Sequence, residues 1–243
     1  MAPLLVFSVA VAAGIVAALG ARRRLGRDRQ LMLVCMRAGL RFAPVDPFED
    51  LWLPFQLFGR GTERGTENAV WQESDGGAVH AFEFWYRERE GGADHGSTAR
   101  LSCAVVRLPT TCPRLTVEPR DAIDVLEDAV GLDRIEMELD AFNRRFRVSS
   151  SDRRFAVALL DQRMMQGILG LPDGVSILVG DDTMLLHAEV LPAGEVLLLL
   201  DAARRLQAHV PRVVASLYPP EPDKGPHEDR WLAGHWTPEP TEG

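Results

Sequence analysis

Two aspartates in the run Gly180-Asp181-Asp182-Thr183 are the first residues in this 243-residue chain whose types could do chemistry. Adjacent carboxylates on a tight turn supply the oxygen ligands that a hard divalent cation takes, and a metal-dependent hydrolase would use them in that way. Glycine and aspartate are also what the backbone of a tight turn favours, so a plain turn is the leading reading. A second feature is the tandem Arg60-Gly61-Thr62-Glu63 and Arg64-Gly65-Thr66-Glu67. Its glycines and arginines suggest a phosphate cradle, but the Gly-Lys-Ser/Thr ending of a P-loop is missing and no apolar strand leads into it, which predicts a polar connecting loop.

The six histidines, His80, His95, His187, His209, His227 and His235, show no ligand spacing. The chain lacks a Gly-x-Ser-x-Gly elbow, His-Glu-x-x-His, Cys-x-x-Cys, Gly-x-Gly-x-x-Gly after a strand and an EF-hand loop. No catalytic residue, cofactor site or metal site beyond Asp181 and Asp182 is therefore assigned, and the reading leans away from an enzyme. Cys35, Cys103 and Cys112 are odd in number and fit a reducing compartment, although Cys103 and Cys112 are a candidate pair in an oxidising one.

From Leu4 to Ala21 there is no charged residue over 18 positions, a run that as a helix covers about 27 Å and matches the short end of a bilayer span. A signal peptide competes for the same residues, and Gly20-Ala21 is small enough for a peptidase. Against cleavage, no basic residue precedes the apolar run, and it passes directly into Arg22, Arg23, Arg24, Arg27 and Arg29. The expectation is a retained signal-anchor in a single-pass membrane protein. The positive-inside rule then puts the N-terminus outside and the remaining chain in the cytoplasm.

The same arginines are expected to meet anionic headgroups. Seven arginines against Asp28 over residues 22–41 put +6 there, which leaves −14 on the rest of a chain of net charge −8. So acidic a body does not bind nucleic acid, whose affinity rests on Lys and Arg against phosphates. Lys224 is the sole lysine, an arginine bias typical of a GC-rich bacterial genome.

The elements follow from periodicity. Leu31 to Phe42 is helix-capable up to Pro44 and Pro47, and residues 22–49 are expected to be a basic juxtamembrane segment and stalk. A globular domain is expected over 50–218. Asn68 to Glu73 and Val79 to Arg87 flank the turn Ser74-Asp75-Gly76-Gly77, with Phe82, Phe84 and Tyr86 on one face. Thr98 to Leu108 completes a meander, and Leu115 to Glu118 is a short strand among Pro109, Pro113 and Pro119. Arg120 to Gly131 is a helix candidate, Ile135 to Leu139 and Phe142 to Val148 are strands, and Ser149 to Asp152 is an N-cap run before one amphipathic helix. Val175 to Val179 and Met184 to Ala188 predict a hairpin around Gly180 to Thr183. Glu195 to His209 predicts the last helix. Residues 219–243 form a Pro-rich acidic tail expected to be disordered, in which Trp231 and Trp236 either fold back on the domain or dock a partner.

Leu53-Pro54-Phe55-Gln56-Leu57-Phe58-Gly59, Asn68-Ala69-Val70-Trp71 and Phe82-Glu83-Phe84-Trp85-Tyr86 resemble the first half of an uncharacterised family of membrane-anchored bacterial proteins. Leu115-Thr116-Val117-Glu118-Pro119, Phe142 to Val148 and Ala158 to Met164 resemble its second half. The resemblance implies an α+β architecture and carries no activity.

The resulting expectation is an α+β domain on one transmembrane helix, with a mainly antiparallel sheet of eight short strands and two or three helices on one side, as an open sheet, a roll or a pleckstrin-homology-like barrel. Its expected role is a membrane-tethered cytoplasmic interaction or scaffold domain without catalysis. The alternative is a small-ligand or lipid sensor, with the aromatic strand Phe82 to Tyr86 facing helices around a pocket. The membrane is the expected contact; the sequence names neither the protein partner nor the oligomeric state.

Overall fold

The computed structural model describes residues 26–72, 78–88, 98–121, 129 and 131–220. The chain is α+β. Among the described residues seven strands, β1 (Arg41–Val45), β2 (Glu63–Trp71), β3 (Val79–Arg87), β4 (Thr98–Pro119), β5 (Asp133–Ile135), β6 (Phe146–Ser150) and β7 (Ser176–Glu189), pair antiparallel. The order β1-β2-β3-β4-β6-β5 does not return on itself, so among the described residues the sheet is open rather than a closed barrel.

Strand β4 is the spine. Its 22 residues pair with β3 and then with β6 along one edge, and with β7 along the other. The sequence predicts two strands here because Pro109 and Pro113 cannot donate to a ladder. The structure keeps one strand and absorbs the prolines at register shifts between Arg107 and Cys112 and between Cys112 and Leu115. The same irregularity corrects the hairpin expected around Gly180 to Thr183. Asp181 takes φ 50° opposite Cys112, and β7 runs on through it as one bulged 14-residue strand. Two long strands thus replace four expected ones, and β1, in the segment expected to be a stalk, adds one, so among the described residues seven strands stand where eight were expected.

The polar loop expected at the Arg-Gly-Thr-Glu tandem is also corrected: from Glu63 it is the first half of β2, paired with β3. Gly65 faces Trp85 across that pair, and a Cβ there would lie 2.9 Å from the indole nitrogen, so the glycine makes room for the ring. Asn68 at φ 56° marks a bulge in β2. The turn Ser74 to Gly77 and most of the helix expected over Arg120 to Gly131 lie outside the described residues.

Among the described residues six helices accompany the sheet: α1 (26–37), α2 (Asp140–Arg145), α3 (Arg153–Leu159), α4 (Gln162–Leu169), α5 (Ala193–His209) and α6 (Arg212–Leu217). Four features raise the number above two or three. The start of the strand expected at Phe142 is α2, and α6 follows Pro211. The single helix expected after Asp152 is divided, because Asp161 caps a new one by accepting from the Met164 N–H. Asp152 caps α3 as expected, accepting from the Arg154 and Phe155 N–H groups.

The fourth feature is the segment expected to be a stalk, whose helix α1 is part of the domain. Leu31 and Cys35 are fully buried in the core, each at a stabilisation of about 1.5–3 kcal/mol for a large apolar side chain and less for the thiol.

Alternation along the strands makes two cores. Ala81, Ala104, Val106, Val117 and Leu186 face the helices. Phe82, Phe84, Cys103, Val105, Leu178 and Leu185 face the other way, under Leu53, Phe55, Leu57 and Phe58 from two 3-10 turns, Asp50–Trp52 and Gln56–Gly59. The aromatic face of β3 therefore does not look onto helices. Among the described residues no helix is long and apolar enough to cross a membrane, and the run Leu4 to Ala21 lies outside them.

Candidate functional site

The helix that follows the apolar run is fastened to the sheet by charge. Glu83, on the helix-facing side of β3 and buried, forms an ion pair with Arg27 of α1. The Leu191 carbonyl, between β7 and α5, accepts from Arg27 Nε at 3.1 Å and from Nη2 at 2.7 Å. The Leu191 N–H in turn donates to Ser102 Oγ of β4 at 3.0 Å. On the far side of Glu83, Arg100 Nη1 lies 3.5 Å from Oε2 and also pairs with Glu67 of β2. The bulge at Asn68 aims its amide at the next turn of contacts, donating to Asp28 Oδ1 at 3.0 Å.

Arg27, Glu83, Arg100 and Glu67 thus alternate in sign across α1, β3, β4 and β2. Burial pulls the Arg27 pKa below its ordinary value, opposed by the neighbouring Asp28 carboxylate. Such a network holds position well, because stripping one partner leaves a desolvated charge behind.

On the opposite face of the sheet, His80 Nε2 lies 2.9 Å from both carboxylate oxygens of Asp50, and both side chains are completely buried. Phe48 stacks on the imidazole at 4.1 Å. Asp46 holds the 3-10 turn, accepting from the Phe48 and Asp50 N–H groups and from Thr66 Oγ1 at 2.6 Å. Burial raises the Asp50 pKa to about 6, against the lowering effect of His80. A His-Asp pair is a catalytic device only with access to substrate, and this one is sealed beneath the 3-10 turn. Two residues along the same face, His187 stands on β7 opposite Cys103, with a buried Nε2 that has no hydrogen-bond partner; burial and the charge of Arg60 lower its pKa to about 4.

The aspartates proposed for a cation do not converge. Asp182 is ion-paired with Arg107, while Asp181 is exposed at the bulge. No group of three or more His, Cys, Asp or Glu gathers at ligating distance among the described residues.

Among the described residues, side chains pack closely on the aromatic strand that a ligand-sensor reading would place beside a pocket. On the aromatic face, Phe58 packs on Phe82 at 6.0 Å and edge-on to Phe84 at 5.0 Å. A cavity on the helix side, among Leu115, Val117, Leu159, Met164, Met184 and Leu206, measures about 10 Å³, at the threshold for one water.

Of the arginines expected at the membrane surface, Arg27 is instead turned into the domain, Arg29 is exposed on α1, and Arg22, Arg23 and Arg24 lie outside the described residues, as do Trp231 and Trp236. The buried pairs were missed in the sequence because neither partner announces the other. Glu83 carries the one available signal: a carboxylate between Phe82 and Phe84, on a strand whose both faces are apolar.

No family model matches the chain, and no curated protein matches it. Among solved structures the fold is similar to that of the mycobacterial trehalose monomycolate transport factor A, with a TM-score of 0.52 over 82% of this chain and 99% of that one at 12% identity, a likeness of fold alone.

Proposed function

We propose that this protein is a membrane-tethered accessory factor that works by binding a partner and performs no catalysis, its domain on the cytoplasmic side. The observation that carries the reading is the junction of α1 with the sheet. Helix α1, which follows the apolar run in sequence, is bonded through Arg27 to Glu83 and Leu191, so the domain's first described helix is part of its body and is not a free stalk. A domain that begins within a few residues of the apolar run suits a protein that presents a surface to another membrane component. Three further points support it: the charged pairs are sealed or serve the fold, both cores are filled, and the similar fold belongs to a protein named as a transport factor. The resemblance to membrane-anchored bacterial proteins agrees in direction.

The test is affinity capture of the full chain from cross-linked membranes, beside a chain lacking 221–243. A membrane protein captured by the full chain is the expected result, and its loss on deletion with unchanged thermal unfolding assigns the docking to the tail that holds Trp231 and Trp236. Capture of nothing by either chain contradicts the reading.

A further inference from the structure

Helix α1 is apolar on two opposite sides. Leu31 and Cys35 turn inward with Arg27 and Asp28, as the 3.6-residue period requires. The outward arc carries Met32, Leu33 and Met36, exposed by 37%, 43% and 67%, with Arg29 between them and Arg37 beside them. The outer face of a surface helix in water is ordinarily polar. Apolar side chains interleaved with arginines are instead what a helix lying in a lipid interface presents, the arginine stems lying along the acyl boundary while the guanidinium groups reach phosphate.

Position along the chain says what covers this face. Ala21 ends the apolar run and Arg29 begins the outward arc, and eight residues reach at most about 28 Å even fully extended. The contacts of Arg27 and Asp28 with Glu83, Leu191 and Asn68 fix which way the arc points.

We propose that the outer face of α1, Met32, Leu33 and Met36 with Arg29 and Arg37, rests in the anionic headgroup layer of the membrane that receives the apolar run. The inference rests on the tether of the proposed function and adds an orientation: α1 lies on the bilayer and the sheet stands behind it. The cation charge matches an anionic leaflet, whereas the body of the domain is acidic and is repelled by it.

The test places a spin label at Leu33→Cys or Met36→Cys in the full chain, with Val157→Cys of α3 as the reference. Val157 is half-exposed, and its helix packs at the β5 and β6 end of the sheet. The native cysteines are buried. The chain is reconstituted into phosphatidylcholine vesicles containing phosphatidylglycerol and floated. Labels at 33 and 36 should be more accessible to oxygen than to an aqueous nickel chelate, with the reverse at 157, and Arg29→Glu with Arg37→Glu should abolish the difference.

Flotation with chelate-accessible labels at 33 and 36 overturns the orientation and leaves the tether standing. Labels shielded from both reagents show a protein covering α1, such as a second copy, and overturn it equally. A chain that does not float removes the tether and the orientation together.

Discussion

His80 and Asp50, thirty residues apart, meet at 2.9 Å in a fully buried pair, and His187 stands on the same face of the sheet with its Nε2 unsatisfied. The two sites give stability opposite dependences on pH. The folded pKa of Asp50 is raised from 3.8 to about 6, so its contribution is present below 3.8 and is lost as pH rises through 6. The folded pKa of His187 is lowered from 6.5 to about 4, so its contribution is present above 6.5 and is lost as pH falls through 4. Each amounts to something on the order of 3 kcal/mol, and between pH 4 and 6 they offset each other. Relative to the parent, Asp50→Asn should gain thermal stability as pH rises through this window, and His187→Leu should lose it. Melting curves across pH 4 to 7 check both signs; parallel curves for all three proteins contradict the assignment.

Arg27 supplies the second prediction. Arg27→Ala leaves the buried Glu83 carboxylate to Arg100 alone and frees the Leu191 carbonyl, which should cost about 3 kcal/mol. Adding Glu83→Gln should recover part of that loss, because the uncompensated charge goes with it. Denaturant unfolding of each single variant and of the double one measures the coupling. A double variant as weak as the sum of the single ones denies the network its role.

Gly61 has φ 73°, and a Cβ there would lie 2.8 Å from the Arg87 carbonyl oxygen. Gly61→Ala should therefore destabilise by about 1–3 kcal/mol, whereas Gly59→Ala, in open space, should change little. The same melts compare them. The contrast separates a glycine that the entry to β2 requires from one that ends a 3-10 turn with open space where a Cβ would lie.

All three thiols are buried, with burial raising their pKa values to about 11 at Cys35, to about 12 at Cys112 and well above the ordinary value at Cys103. None should react with a thiol reagent at neutral pH until the domain unfolds, when three equivalents should react. Rapid modification of the folded chain contradicts the placement of α1, since Cys35 is buried only while that helix is docked.

The elements legible in the sequence are those set by local signals. The alternation Phe82, Phe84, Tyr86 against Ala81, Glu83, Trp85 fixes β3, the cap at Asp152 starts α3, and the apolar period from Val196 to Leu206 marks α5. The misread elements depend on distant partners. Pro109 and Pro113 break a strand by local rules, but β7 stays paired through their bulges. Glu63 to Thr66 lacks an apolar pattern and is held as strand by β3. Leu31 and Cys35 look like a tether's continuation until the sheet is present to bury them. The candidate site was less legible still, because Arg27 is one of five closely spaced arginines and only its pairing with Glu83 separates it from the others.

The central claim, a domain mounted on a membrane tether on the side where the arginines lie, is tested most directly by protease accessibility of the full chain in intact cells and inverted membrane vesicles, with a probe at each end. The account predicts that the C-terminal probe is cut only in inverted vesicles and the N-terminal probe only in cells stripped to expose the outer face of the membrane. A C-terminal probe cut from outside, or released from the membrane altogether, contradicts it.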